Sequence, residues 1–143
     1  MARAYDSRGF TLMEIAVVVT ILAILAVFAV PRLVAIKAES RTAAVEALAD
    51  SVRSGAALAH TLWLARGQPG SVTLEGRKVA IVNGYPDLAT IDATVANTSG
   101  FTYSSATGVF ARSDVAGPCT VTYILAAVDG SPSIAVQTTG CNP

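Results

Sequence analysis

Three hydrophobic rhythms divide the chain. The first is continuous. Residues 15–30 carry no charge, and Thr20 is their only polar side chain. As a helix this run is about 24 Å long. With residues 10–13 ahead of it and 33–36 behind, it reaches the length of a bilayer core. The second rhythm is helical. Val45, Leu48, Val52, Ala56, Ala59 and Trp63 recur every three or four residues, and Arg41, Glu46, Asp50, Arg53 and His60 lie between them. That spacing predicts an amphipathic helix with a dry face and a wetter one, in an alanine-rich stretch that favours helix. Pro31 stands between the two rhythms. It removes one backbone hydrogen bond and crowds the preceding turn, so a kink or local melting is expected there rather than an end. A helix over residues 10–66 would be roughly 85 Å long. Gly67 supplies its stop, and Pro69 prevents resumption.

From Ser71 the period becomes two. "SVTLE" and "KVAIV" flank Gly76-Arg77 and predict a hairpin with its turn over residues 75–78. "NGYPD" reads as a turn cluster, and a short helical turn is expected around residues 88–92. "FTYSS" and "VFARS" around Ala106-Thr107-Gly108 predict a second hairpin. "CTVTYILAA" reads as the strongest strand and "SIAVQT" as the last, joined through Asp129-Gly130 and Pro132. The predicted class is α+β: a long N-terminal helix whose second half packs on a small antiparallel sheet. The aromatic residues Tyr85, Phe101, Tyr103, Phe110 and Tyr123 are expected in the core or on a sheet face, and Trp63 between helix and sheet.

Composition narrows the function. The 143 residues are 52% hydrophobic and 14% charged, with formal net charge zero. No basic surplus exists to hold phosphates, so nucleic acid is not expected as a partner. The two cysteines, Cys119 and Cys141, lie near the C-terminus. Two thiols and one histidine are too few for a tetrahedral zinc site. If this end lies outside the cytosol, a disulfide is the expected state, and it would stabilise the last hairpin by roughly 3 kcal/mol through loop-closure entropy. Two free buried cysteines are the alternative. Arg3 and Arg8 before the apolar run are balanced by Arg32 and Lys37 after it, so charge does not orient the span. A C-terminal disulfide would place the N-terminus in the cytoplasm. A cleaved secretory signal fits poorly, because "VFAVP" sets Pro31 beside any cut. A plain signal anchor leaves Glu14 unexplained.

Glu14 is the anomaly. A carboxylate in lipid costs a few kcal/mol at the centre and less near the interface. Cleavage between Gly9 and Phe10 would create an α-amino group four residues upstream, which the same chain or a staggered neighbouring copy could bring to Glu14. "Gly9-Phe10-Thr11-Leu12-Met13-Glu14" before a long apolar helix resembles the type IV prepilin signature. The resemblance implies that a prepilin peptidase cuts after Gly9 and methylates Phe10. It implies that the mature subunit waits in the inner membrane, and that assembly machinery there extracts it into a fibre in which Glu14 pairs with the Phe10 amine of an adjacent copy. The family often has a helix-softening proline at the position of Pro31. Its second common proline is absent from "EALADSVRSG". The family also commonly closes a C-terminal loop with a disulfide, the role expected of Cys119 and Cys141, whereas pseudopilins of type II secretion more often lack that bridge. "SGAALAH" and "GSVTLEGRKVAIVNGYPD" resemble the mannose-sensitive haemagglutinin pilin group, which implies surface attachment, with a host or surface glycan as the expected partner.

The resulting organisation is a leader over residues 1–9, a membrane and polymerisation helix over 10–36, an amphipathic continuation over 37–66 and a head over 67–143. The expected location is the inner membrane of a Gram-negative bacterium, then an extracellular pilus. His60 is expected to be merely solvated. Asp87, Asp92, Asp114 and Asp129 lack calcium-loop spacing, the serines lack a nucleophile elbow, and the glycines form no phosphate cradle. No catalytic, cofactor or metal site is therefore expected. A pilin for adhesion or motility leads. A pseudopilin and a membrane-anchored periplasmic binding module are the alternatives, and an enzyme fits least.

Overall fold

The computed structural model describes residues 10–142. The expected leader, with Arg3, Arg8 and Gly9, lies outside the described residues. Internal contacts divide the chain into two units between Ile36 and Lys37. One helix, α1 (Leu12–Ala65), supplies residues to both, and it is unbroken through Pro31, so it neither ends nor melts at that proline. Thr11 is its N-cap: the Glu14 backbone N–H donates to Thr11 Oγ1 at 3.2 Å, satisfying one of the donors that a helix start leaves unpaired. At the other end Gly67 adopts φ 77°. The Gln68 N–H reaches the Trp63 carbonyl at 2.9 Å, and the Gly67 N–H reaches that of Leu64 at 3.3 Å. Those two bonds form a Schellman cap.

Residues 37–142 build the head. Seven strands follow α1: β1 (Ser71–Leu74), β2 (Arg77–Val82), β3 (Tyr85–Pro86), β4 (Phe101–Ser104), β5 (Val109–Arg112), β6 (Thr120–Ile124) and β7 (Ser133–Gln137), with a 3-10 turn at Ile91–Thr94 between β3 and β4. They form two antiparallel sheets rather than one, β1-β2-β3 and β4-β5-β6-β7. The first hairpin turns one residue earlier than expected. Leu74 pairs with Arg77, leaving Glu75-Gly76 as the two-residue loop, with φ 46° and 81°. A turn of that kind needs left-handed backbone at both central positions, which Gly76 meets as the second residue, whereas Gly76-Arg77 would have put arginine there. "NGYPD" does more than turn. Asn83-Gly84, at φ 53° and 83°, folds β3 back onto β2, with Val82 opposite Tyr85. The expected helical turn around residues 88–92 forms three residues later, at Ile91–Thr94.

The dry face of α1 is the predicted one. Val45, Leu48, Val52, Ala56 and Ala59 are buried, joined by Ala49 and Gly55, while Trp63 is half-buried beside the sheet residues Val72, Leu74, Val79 and Ile81. The larger core sets the helix against Ile91, Val95, Phe110, Val121, Tyr123 and both cysteines. Each such side chain contributes about 1.5–3 kcal/mol when fully buried. Two residues assigned to the wet face are not there. Arg41 has 16% side-chain exposure. His60 stacks on Tyr85 with ring centres 4.3 Å apart and nearly parallel planes, and lies 5.5 Å from Trp63.

Gly55 is the tightest approach between helix and head. A Cβ placed there would lie 2.6 Å from Thr94 Oγ1 and 2.7 Å from the Thr94 carbonyl oxygen. Since backbone cannot step aside as a flexible side chain can, overpacking should cost about 1–3 kcal/mol. Gly55→Ala is thus expected to lower the head's stability in chemical denaturation by that amount. Gly70→Ala, where a Cβ meets nothing within 4 Å, should leave it unchanged.

Candidate assembly segment and the clamp on the head

Every side chain from residue 10 to residue 36 is exposed. Phe10 is 76% exposed, and Leu12, Met13, Val27 and Phe28 are at least as open as 70%. Helical hydrogen bonding satisfies the backbone internally, which a span in hydrocarbon requires. Within residues 15–30 the one polar side chain obeys the same rule, since Thr20 Oγ1 donates to the Ala16 carbonyl at 2.8 Å. The helix is long and apolar enough to cross a membrane. Glu14 is exposed in its first turn, where the positive end of the helix dipole favours a carboxylate. Phe10 precedes the cap residue. Thr11 has a role that the sequence reading passed over, although Thr11-x-x-Glu14 has the residue types of a capping box and could have announced it.

At the opposite end of the chain Cys119 and Cys141 form a disulfide. Both are buried in the larger core, which excludes the alternative of two free thiols. Beside them Asp114 is held by two arginines. Arg112 Nε donates to its Oδ1 at 2.8 Å, and Arg41 Nε donates to its Oδ2 at 3.0 Å. Arg41 also donates from a terminal nitrogen to the Cys141 carbonyl at 3.4 Å, so one side chain of α1 touches both the loop after β5 and the closing cysteine. The Arg112 hydrogen bond, and after it that of Arg41, hold the Asp114 carboxyl well below the usual carboxylate range against some desolvation. A depressed pKa contributes stability that is present above the ordinary carboxylate range and is lost as pH falls below it. Here solvent screens the contribution. Arg112 and Asp114 are two residues apart, but Arg41 lies 73 positions from Asp114, and no periodicity could have joined it to them.

Two tyrosines of the second sheet lock it to β3 and to the segment that leads into the 3-10 turn. The Tyr103 hydroxyl donates to the Leu88 carbonyl, and the Tyr123 hydroxyl donates to that of Pro86 at 2.9 Å. Burial, and then the nearby Asp92 and Asp87, push Tyr103 up to about 12. Burial also raises Tyr123. Among the described residues no three His, Cys, Asp or Glu side chains come together as a metal ion would require.

Residues 5–30 match the family described as the prokaryotic N-terminal methylation motif. The chain carries a methylation-type N-terminus. A 53-residue stretch is 45% identical to the type IV narrow pilus major component PilA5 of Thermus thermophilus. That stretch covers 37% of this chain and 46% of the relative, less than half of either. No solved structure matches. The motif and the relative support a pilus or pseudopilus subunit. The motif takes in Phe10 and Glu14 and ends at Val30, within the exposed part of α1.

Two outcomes follow for the head. Replacing Cys119 and Cys141 together by serine should lower unfolding stability by about 3 kcal/mol, measured by denaturant titration of the full chain against the oxidised, disulfide-bonded wild type. Because both tyrosine pKa values are raised, their contribution is complete below the ordinary value of 10.0 and is lost as pH rises through the folded values. Melting temperature should therefore fall steeply between about pH 10 and 12, and Tyr103→Phe should make that fall shallower.

Proposed function

We propose that this chain is a structural, non-catalytic subunit of a type IV pilus, polymerising through its N-terminal helix into a surface filament for adhesion or motility. The observation that carries the reading is the methylation motif over residues 5–30 on a helix whose apolar side chains are all exposed from residue 10 to residue 36. Exposed hydrocarbon on this scale is unfavourable in water by about 25 cal/mol per Å². A bilayer covers it before assembly, and copies of the same helix cover it afterwards.

In this reading prepilin peptidase cuts after Gly9 and methylates Phe10. The assembly machinery of the inner membrane then draws subunits into the fibre. Glu14 sets the axial stagger by pairing with the Phe10 amine of a neighbour. The pair is worth more in the low dielectric of a helix bundle than in water, and it removes the cost of an unpaired carboxylate in lipid. The Cys119–Cys141 bridge, which pseudopilins more often lack, favours the pilus over the secretion pseudopilus. The likeness of "SGAALAH" and "GSVTLEGRKVAIVNGYPD" supports a placement in the mannose-sensitive haemagglutinin group. A Gram-negative envelope belongs to the same reading.

Mass analysis of the protein from sheared cell-surface fibres should find a chain beginning at N-methyl-Phe10. An intact Met1, or a cut near Pro31, would turn the assignment toward a membrane-anchored binding module. Glu14→Ala should be processed and methylated normally yet yield few or no fibres by electron microscopy. Fibres in wild-type number from that variant would remove the role given to the carboxylate.

A further inference from the structure

β7 is an edge of the four-stranded sheet, and nothing in the filament reading uses it. Proteins guard such edges with charge, proline or a bulge, because an open edge is a template for another strand. β7 has none of these. Its five residues pair with β6 in unbroken register. They include no proline, and residues 130–143 carry no charge. The other edge, β4, is partly occupied by its own chain. The Phe101 N–H donates to the Thr98 carbonyl at 3.0 Å, and the Arg112 guanidinium lies 5.2 Å from the centre of the Phe101 ring.

The register fixes what the open edge presents. Backbone groups of successive residues in a strand point to opposite sides. The Tyr123 N–H donates to the Gly108 carbonyl at 2.8 Å, so Tyr123 faces β5 and Thr122 turns its backbone toward β7. Thr122 lies opposite Ala135. Ala135 therefore turns its own backbone to β6, and the N–H and C=O groups of Ile134 and Val136 point outward. Among the described residues no backbone hydrogen bond outside the β6 ladder involves residues 133–137. The side chains of Ile134 and Val136 lie opposite buried Tyr123 and Val121, on the core side of the sheet, yet Val136 is 40% exposed. A groove of about 210 Å³ beside this edge is lined by Ile134, Pro132 and, on α1, Ala56 and Ala57. Its one charged lining residue, Arg53, is paired with Asp50 at 2.5 Å.

The strand fits a second copy of itself. Ser133-Ile134-Ala135-Val136-Gln137 has the same polar and apolar pattern in both directions. Turned about a two-fold axis through Ala135, an antiparallel copy sets Ile134 opposite Val136 and Ser133 opposite Gln137. Every outward donor then meets an outward acceptor. β-Branched side chains meet on the core side, polar ones meet on the other, and no like charges come together. Ala135, the smallest side chain of the five, falls on the axis, where the strands of a non-hydrogen-bonded pair come closest. We infer that the chain associates with a second copy of itself by pairing β7 with β7, joining two four-stranded sheets into one. An isologous contact of this kind closes on two copies, so it cannot be the repeat that extends a fibre. In the filament reading it joins subunits of different filaments, but the pairing rests only on the head and not on that reading.

Both natural cysteines are in the disulfide, so an introduced cysteine is the lone thiol. Cα atoms opposed on the axis are about 4.5 Å apart, within disulfide reach. Two copies of Ser133 are about 14 Å apart along the paired strands, beyond that reach. The full chain in detergent at about 100 μM, where weak contacts are populated, is oxidised with copper phenanthroline and read by non-reducing electrophoresis and mass analysis. Ala135→Cys should form a disulfide dimer about tenfold faster than Ser133→Cys. Ser133→Cys mixed with Gln137→Cys should cross-link as fast as Ala135→Cys. Val136→Pro removes an outward N–H and spares the β6 ladder, so it should abolish the Ala135→Cys dimer while the melting temperature holds. Three results overturn the inference: no dimer from Ala135→Cys; equal rates for Ala135→Cys and Ser133→Cys, which mark random collision; or an Ala135→Cys dimer that survives Val136→Pro, which marks a contact without strand pairing. Loss of fibres with Glu14→Ala tests the filament reading separately and leaves these cross-links unchanged.

Discussion

Hydrocarbon without a cover governs this molecule. Across residues 15–30 the helix presents aliphatic side chains on every side, and all of them are exposed. An amphipathic helix can turn a dry face toward its own domain, but a helix that is apolar all round needs an apolar surrounding on all sides. Only a bilayer or a bundle of similar helices offers that. The requirement makes sense of details that otherwise look separate. Thr20 returns its hydroxyl to its own helix, the cap at Thr11 occupies a donor at the exposed start, and the lone carboxylate stands in the first turn, where dipole and partner can both reach it.

The head follows a different logic. Its share of α1 is amphipathic, and the buried face is made largely of small residues: Ala49, Gly55, Ala56 and Ala59 beside Val45, Leu48 and Val52. Small side chains let the helix backbone come close to the 3-10 turn, and at Gly55 even a methyl group is excluded. The head then closes on itself by different means at its two ends. The disulfide and the Arg41–Asp114–Arg112 cluster bind the C-terminus to the start of the helical face. The Schellman cap and the aromatic residues around Trp63 finish the other end.

Legibility varied with the range of the interaction. The helical face from Val45 to Ala59, the helix stop at Gly67 and the strand pairs β4–β5 and β6–β7 depend on neighbours within a turn or a hairpin, so spacing reveals them. Spacing alone sets the first hairpin one residue late, because it does not show that the second loop position needs left-handed backbone, which Gly76 adopts. The short β3 strand hid inside a turn motif, since two residues are too few to show a period. Polarity alone assigns His60 and Arg41 to the solvent face, because charge and polarity describe the residue and not its partner. For both, the partner is far along the chain: Gly84 for His60, Asp114 and Cys141 for Arg41.

The amino-acid order by itself determined that an all-apolar helix must begin near Phe10, that a carboxylate must stand in its first turn, and that an amphipathic helix and a β head must follow. Composition and period act locally, and each of these features is local. Only the tertiary structure decided that the strands split into two sheets, that the two cysteines meet, that Arg41 reaches Asp114, and that His60 stacks on Tyr85. Those are encounters between residues tens of positions apart. Chain folding brings them together through packing of the whole core, and no window along the sequence contains both partners.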